Sequence, residues 1–137
     1  MPKQSPIPED YDRPFWEACN EERLVLQYCT KCDRFQHPPK IRCDKCRRAD
    51  TIEWRQVDGS GTIYSYAVIH DTPIAALQPD QPYNAALIAI TAAPGVNMIS
   101  HLPGTPVDKV PLDAPVELIF ETTLATGQKV PEWRVIK

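Results

Sequence analysis

Apolar positions along the chain change period from helical to strand-like. Over residues 12–23, Phe15 and Cys19 share a face with either Glu22 or Arg23, and Trp16 lies beside them. This spacing predicts a short helix. Asp12 is placed to be its N-cap, Pro14 suits its first turn, and Glu17 complements its positive end. A helix this short is not stable alone in water, so its aromatics must dock on something. Phe15 and Trp16 therefore pack either on their own domain or on another subunit, where buried aromatics dominate interfaces. Residues 23–28 alternate loosely and predict a strand running into Cys29. Pro38 and Pro39 break residues 33–42, which read as a loop without regular structure.

Beyond residue 46 the pattern is that of β-strands. Residues 51–57 alternate, 58–61 (Asp-Gly-Ser-Gly) form a turn, and 62–69 are rich in β-branched and aromatic side chains. Residues 71–82 carry three prolines and predict a long loop. Residues 85–91 are almost continuously apolar, as in a strand buried on both faces, with 96–102 as its hairpin partner across Pro94-Gly95. Residues 116–121 alternate again, and 130–136, with Trp133, close the chain. Five or six short strands at this spacing predict a small β-barrel. The chain divides into an arm with its aromatic helix (1–27), a cysteine-rich ribbon (28–50) and the barrel (51–137). Fifteen prolines against five glycines imply many fixed bends and no long helices.

Composition narrows the function classes. The 137 residues suit about one domain; 42% are hydrophobic and 24% charged, with no apolar run near the ~20 residues that span a bilayer. The first six residues are polar and lack the apolar stretch of a secretion signal. Residues 1–10 as a whole read as a mobile or partner-bound arm. Five cysteines without such a signal read as cytoplasmic thiols. A net charge of -3 argues against broad nucleic-acid binding.

The chemistry concentrates in two pairs, Cys29-Thr-Lys-Cys32 and Cys43-Asp-Lys-Cys46. Two C-x2-C pairs across a short loop match the ligand set of a closed tetrahedral site, for structural zinc or a rubredoxin-like iron. An ion held by four thiolates has no open position for a substrate. Lys31, Lys40, Arg42, Lys45, Arg47 and Arg48 surround the pairs, where their charge favours thiolates. Glycine commonly follows each pair to turn the chain; here Asp33 and Arg47 stand there, which predicts strained or slightly open turns. His37 is a weaker ligand candidate than any of the four thiols, and Cys19 reads as a buried structural thiol. His70 and His101 read as surface or barrel-edge histidines. The chain has no nucleophile elbow, phosphate loop, dinucleotide fingerprint or metalloprotease signature.

The order of Pro14-Phe15-Trp16, the run 24–32, Pro38-Pro39, the second cysteine pair, Trp54 and the run 59–66 resembles a zinc-ribbon/OB-fold family once catalogued as a domain of unknown function. Its members accompany thiolases and acyl-CoA hydratases. The resemblance implies a mainly β fold: a short N-terminal helix, a rubredoxin-like four-cysteine zinc ribbon, then an OB-type barrel. Gly59, Gly61 and Ser65 occupy the family's barrel-entry positions. Relatives join thiolase-like proteins in aldolase and hydratase complexes that shorten the steroid side chain. Others join an archaeal thiolase–hydroxymethylglutaryl-CoA synthase assembly, or bacterial complexes that acylate phenolic rings. By resemblance, this chain is a non-catalytic scaffolding subunit of a hetero-oligomer, bridging subunits and shaping the CoA channel, with reacting residues in the partner. It departs from the family pattern in lacking glycines after the cysteine pairs and in a less acidic segment at 92–101. Two other functions compete. One is a single-stranded nucleic-acid-binding module using the basic residues 40–48 with Tyr64 and Tyr66. The other is an independent CoA-thioester enzyme using His70 or His101 as a base.

Overall fold

The expected helix forms as α1 (Arg13–Asn20) in this computed structural model, which describes residues 4–136. Residues 1–3 of the arm, and Lys137, lie outside the described residues. Asp12 occupies the cap position, yet its side chain makes no cap bond; its Oδ1 instead accepts the Glu9 N–H at 2.6 Å. Glu17 falls beyond the first turn, too far along to meet the free N–H groups. Phe15, Ala18 and Cys19 form the buried face, whereas Glu22 leaves it, turning out with φ 58°. Within the arm, Ser5 donates to Thr123 Oγ1 at 2.8 Å, tying residue 5 to the far end of the chain.

Strand β1 (Leu24–Cys29) is buried at every position rather than alternating. It is the middle strand of a three-stranded antiparallel sheet, order β2-β1-β3, with β2 (Arg34–Gln36) and β3 (Ile52–Val57). Leu24 and Leu26 face α1 and the core. On the other face, Gln27 Oε1 accepts from Lys40 N–H and Gln36 Nε2, both at 2.8 Å. Its Nε2 donates to Lys40 C=O at 2.7 Å, so the ribbon loop covers that face with every amide atom satisfied. Strand β2 lies in the stretch read as loop. Strand β3 follows the division drawn at residue 51 but hydrogen-bonds to the ribbon sheet.

The remaining strands form a five-stranded barrel sheet: β4 (Ser60–Ile69), β5 (Tyr83–Ile90), β6 (Asn97–Ser100), β7 (Pro115–Thr122) and β8 (Lys129–Val135), in the order β6-β5-β4-β7-β8. Strand β4 pairs with β5 along its length, with an irregular register between Ile63 and Ser65. It pairs with β7 only through its first residues, 60–62, so it bends to serve two neighbours. The edge strands β6 and β8 are bridged by Ser100, which nearly closes the sheet. Strand β5 alternates: Asn84, Ala86, Ile88 and Ile90 are buried and the residues between are half-buried. Small side chains on the outer face, Ala85 and Ala89, made the run look apolar throughout. The loop at 71–82 contains a 3-10 helix, Ala75–Asp80. Phe15, Leu26, Ile63, Ile88 and Trp133 meet in one core shared by helix, ribbon and barrel.

Candidate functional site

Cys29 ends β1, and the chain reverses immediately after the first pair. The Asp33 N–H donates to the Cys29 carbonyl at 2.8 Å, with Asp33 at φ 54°. The second pair repeats this turn: Arg47 N–H to the Cys43 carbonyl at 3.0 Å, with Arg47 at φ 65°. Both residues adopt the left-handed conformation that glycine takes without penalty, at a cost of about 1–2 kcal/mol each. The turns are strained, as their sequence predicts, yet they close. Cys29 and Cys46 sulfurs lie 3.7 Å apart and those of Cys32 and Cys43 3.9 Å. All four lie within 4.8 Å of one another. A tetrahedron of metal–sulfur bonds about 2.3 Å long has edges of about 3.8 Å, so the donor set fits one ion.

The surroundings hold these sulfurs in place. Cys32 N–H points to Cys29 Sγ and Lys45 N–H to Cys43 Sγ, both at 3.4 Å. The Thr51 hydroxyl lies 3.2 Å from Cys29 Sγ; this bond leads the causes that lower the Cys29 thiol to about 6. Loss of solvent leads those that push Cys32 up to about 12. Lys40 is paired with Asp44 at 2.8 Å, and Arg48 with Asp50. His37 is not part of this four-sulfur group, and its ring lies 5.2 Å from that of Phe15.

Phe15 is only 3% exposed, its ring used up in the chain's own core. Trp16, edge-on to it at 4.8 Å, is half-buried. It lines a cavity of about 470 Å³ where helix, ribbon and barrel meet, with Tyr11, His37, Pro38, Ile99 and Pro131. Gly59 and Gly61 lie where β4 crosses close to its neighbours. A Cβ on Gly59 would lie 2.6 Å from Leu118 Cβ, and one on Gly61 2.8 Å from the Ala89 carbonyl oxygen. Ser65 is exposed. Cys19 is fully buried, and burial pushes its thiol up to about 12, which makes it inert.

One group of residues went unread in the sequence. His101 is more than an edge histidine: its Nε2 lies 2.7 Å from Glu121 Oε1 and 3.8 Å from Glu132 Oε1. These residues come from three segments with no common spacing, so nothing local marks them.

Residues 16–53 match a rubredoxin-like zinc ribbon domain of ChsH2, and residues 54–121 match the ChsH2 C-terminal OB-fold domain. The chain belongs to the ChsH2/DUF35 family. Among similar proteins, a probable enoyl-CoA hydratase alpha subunit of Thermomonospora curvata is 36% identical over 110 residues, 78% of this chain. The chain spans only 32% of that protein's length. A DUF35 domain-containing scaffold protein of Methanocaldococcus jannaschii is 27% identical over 82% of this chain and 78% of its own. Among solved structures, the Ltp2-ChsH2(DUF35) aldolase contains a chain superposing with a TM-score of 0.79 and 28% identity, covering 96% of this chain and 98% of that one. A DUF35 protein of unknown function from Sulfolobus solfataricus shares the fold, with a TM-score of 0.62 and 18% identity over 93% of this chain and 86% of its own. No helix among the described residues is long and apolar enough to cross a membrane.

Proposed function

We propose that this chain is a non-catalytic scaffolding subunit of a thiolase-like acyl-CoA or acyl-transfer complex, of aldolase, thiolase or C-acyltransferase type. It bridges subunits and shapes the CoA or acyl channel, while the partner supplies the reacting groups. The observation that carries this reading is the near full-length likeness to a chain of the Ltp2-ChsH2(DUF35) aldolase. The scaffold-protein name of the Methanocaldococcus relative supports it. In this reading the four thiolates of Cys29, Cys32, Cys43 and Cys46 hold a structural Zn2+, which ties down the ribbon and takes no part in the reaction. Five free thiols suit a reducing cytoplasm. Trp16, rather than the buried Phe15, presents an aromatic surface to the partner.

The competing functions draw less support. Lys40 and Arg48, from the basic stretch a nucleic acid would use, are engaged by Asp44 and Asp50. His70 is exposed, and His101 Nε2 is held by Glu121, which leaves neither poised over a thioester. Co-expression with thiolase-like proteins, including any encoded beside this chain, tests the proposal. Co-purification as a hetero-oligomer, with acyl-CoA turnover only when both are present, is expected. Turnover by this chain alone, or a monomer that ignores every such neighbour, overturns it.

A further inference from the structure

One end of the barrel holds polar groups that the fold leaves without partners. Asn84 occupies an inward position near the start of β5, in line with Ala86, Ile88 and Ile90, and is 3% exposed. Neither its Oδ1 nor its Nδ2 has a hydrogen-bond partner. A buried amide left unpaired destabilises the fold, so its presence there calls for an explanation. It lines a cavity of about 400 Å³, within the range of about 300–1,000 Å³ that ligand sites occupy.

The same cavity is acidic. Asp80, the last residue of the 3-10 helix, lines it with an Oδ2 that is buried and also lacks a partner. The loop around Asp80 is pinned: Gln78 Nε2 donates to the Thr72 carbonyl at 3.2 Å, and the Thr72 N–H donates to Gln81 Oε1 at 3.0 Å. Glu121 supplies a second carboxylate from β7. Among the described residues that line the cavity there is no lysine or arginine. His101, the basic group on its wall, already has its Nε2 2.7 Å from Glu121 Oε1. Even with that imidazole protonated, two carboxylates against one cation leave the lining negative.

We propose that this cavity binds a guanidinium cation, with Asp80 and Glu121 as its charge partners and Asn84 Oδ1 as a further acceptor. A guanidinium carries its N–H donors in one planar fork, so a single group serves both Asp80 Oδ2 and Asn84 Oδ1, which lack a donor. An ammonium is a compact point charge, more strongly hydrated, and gives up more water to enter. Tyr83, half-buried at the cavity wall, offers a ring on which the planar cation stacks. A water carried in with the ligand answers Asn84 Nδ2, since the cavity is polar and roomy enough to hold one. The cation comes from an arginine side chain of another protein or from a small free guanidine. The proposal does not rest on the scaffolding role, and its test involves no partner subunit.

The probes are N-acetyl-arginine methylamide, which presents the side chain as a protein does, and methylguanidinium, a free guanidine. Each is titrated at low salt into the full chain with its ribbon metal loaded, and the amide signals are followed by heteronuclear NMR. Saturable shifts of the Asn84 side-chain signals and of the His101 and Thr105 backbone amides are expected with at least one probe, and the tighter one identifies the source. The neutral isostere N-acetyl-citrulline methylamide binds about tenfold more weakly or worse. Asp80→Asn and Glu121→Gln each weaken binding by roughly tenfold or more, while Glu17→Gln, which removes a charge from the exposed face of α1, leaves it unchanged. Asn84→Leu also weakens binding, yet raises the urea midpoint of the ligand-free protein, because it removes unpaired buried atoms; a merely structural amide gives the opposite sign. No saturable shift with either probe overturns the proposal, since water alone then fills the cavity. So does equal binding of the citrulline compound, or binding unaffected by Asp80→Asn. Asp80 is half-buried in a loop, so this variant decides the matter even if Asn84→Leu does not fold.

Discussion

Ser100 Oγ donates to Glu132 Oε1 at 2.8 Å and accepts from the N–H groups of Leu102 at 3.1 Å and Trp133 at 3.0 Å. One hydroxyl thus uses its donor and both lone pairs to join the two edges of the barrel sheet. Ser100→Ala takes one hydrogen-bond donor from the Glu132 carboxylate, which keeps the His101 N–H, and removes the acceptor of two buried N–H groups. Its expected cost is about 3 kcal/mol, read as a lower urea midpoint for the metal-loaded protein. A change below half of that would show that water replaces the hydroxyl.

The barrel-entry positions should separate by role. Alanine at Gly61 must push back the β5 backbone at the Ala89 carbonyl, and at Gly59 it meets the rigid Cβ of Leu118. Each substitution is expected to cost about 1–3 kcal/mol, the usual penalty of overpacking. Ser65→Ala, on the exposed side, should leave thermal stability unchanged. Equal melting temperatures for all three variants would refute the close-approach explanation.

Cys43→Ser should abolish stoichiometric metal, measured by elemental analysis after gel filtration. Chelation of the wild-type protein should release amide protection in residues 29–51 first. Metal binding and folding are coupled there, whereas most of the shared core, including Ile63, Ile88 and Trp133, comes from the barrel. Uniform loss of protection across the whole chain would show that ribbon and barrel unfold as one unit.

His37 has a pH signature. Burial lowers its imidazole from 6.5 to about 4, and its Nδ1 has no partner. Between these values the unfolded chain binds more protons than the folded one, so stability is complete above about pH 6.5 and falls as pH drops toward 4. The loss is at most about 3 kcal/mol. Comparison with His37→Gln isolates it from acid release of the ribbon metal: the variant should have a flatter stability profile over this window. Parallel profiles would mean that the His37 imidazole is hydrated in the folded state.

Trp16→Ala should weaken the complex with a thiolase-like partner by roughly tenfold or more, since aromatics that become buried at an interface dominate such contacts. Phe15→Ala should instead destabilise the isolated chain by about 3–5 kcal/mol, as a core truncation does. Titration calorimetry and urea unfolding together distinguish the two. Equal effects of both substitutions on both measurements would remove the distinction between them.

What could be read from the chain alone follows the range of the physics involved. The C-x2-C pairs announce their site because two sulfurs three residues apart already fit one ion, and the helix of Phe15 and Cys19 shows its period within a few turns. Pattern also carried most strands of the barrel, including the β5–β6 hairpin across Gly95. It failed at β2, only three residues long, which pairing with β1 holds extended. At β1 it gave the strand but not its burial on both faces, which comes from the Gln27–Lys40 bonds across the ribbon loop. Phe15 and Trp16 are sequence neighbours with equal claims to an interface, and only packing within the shared core buried the first. His101, Glu121 and Glu132 have no common period, because barrel closure alone brings their strands together. By itself, the sequence determined the sulfur ligand set and the mainly β architecture, both products of short-range spacing. Tertiary structure alone decided which aromatic stays available and which carboxylates share a histidine, since both depend on contacts between distant segments.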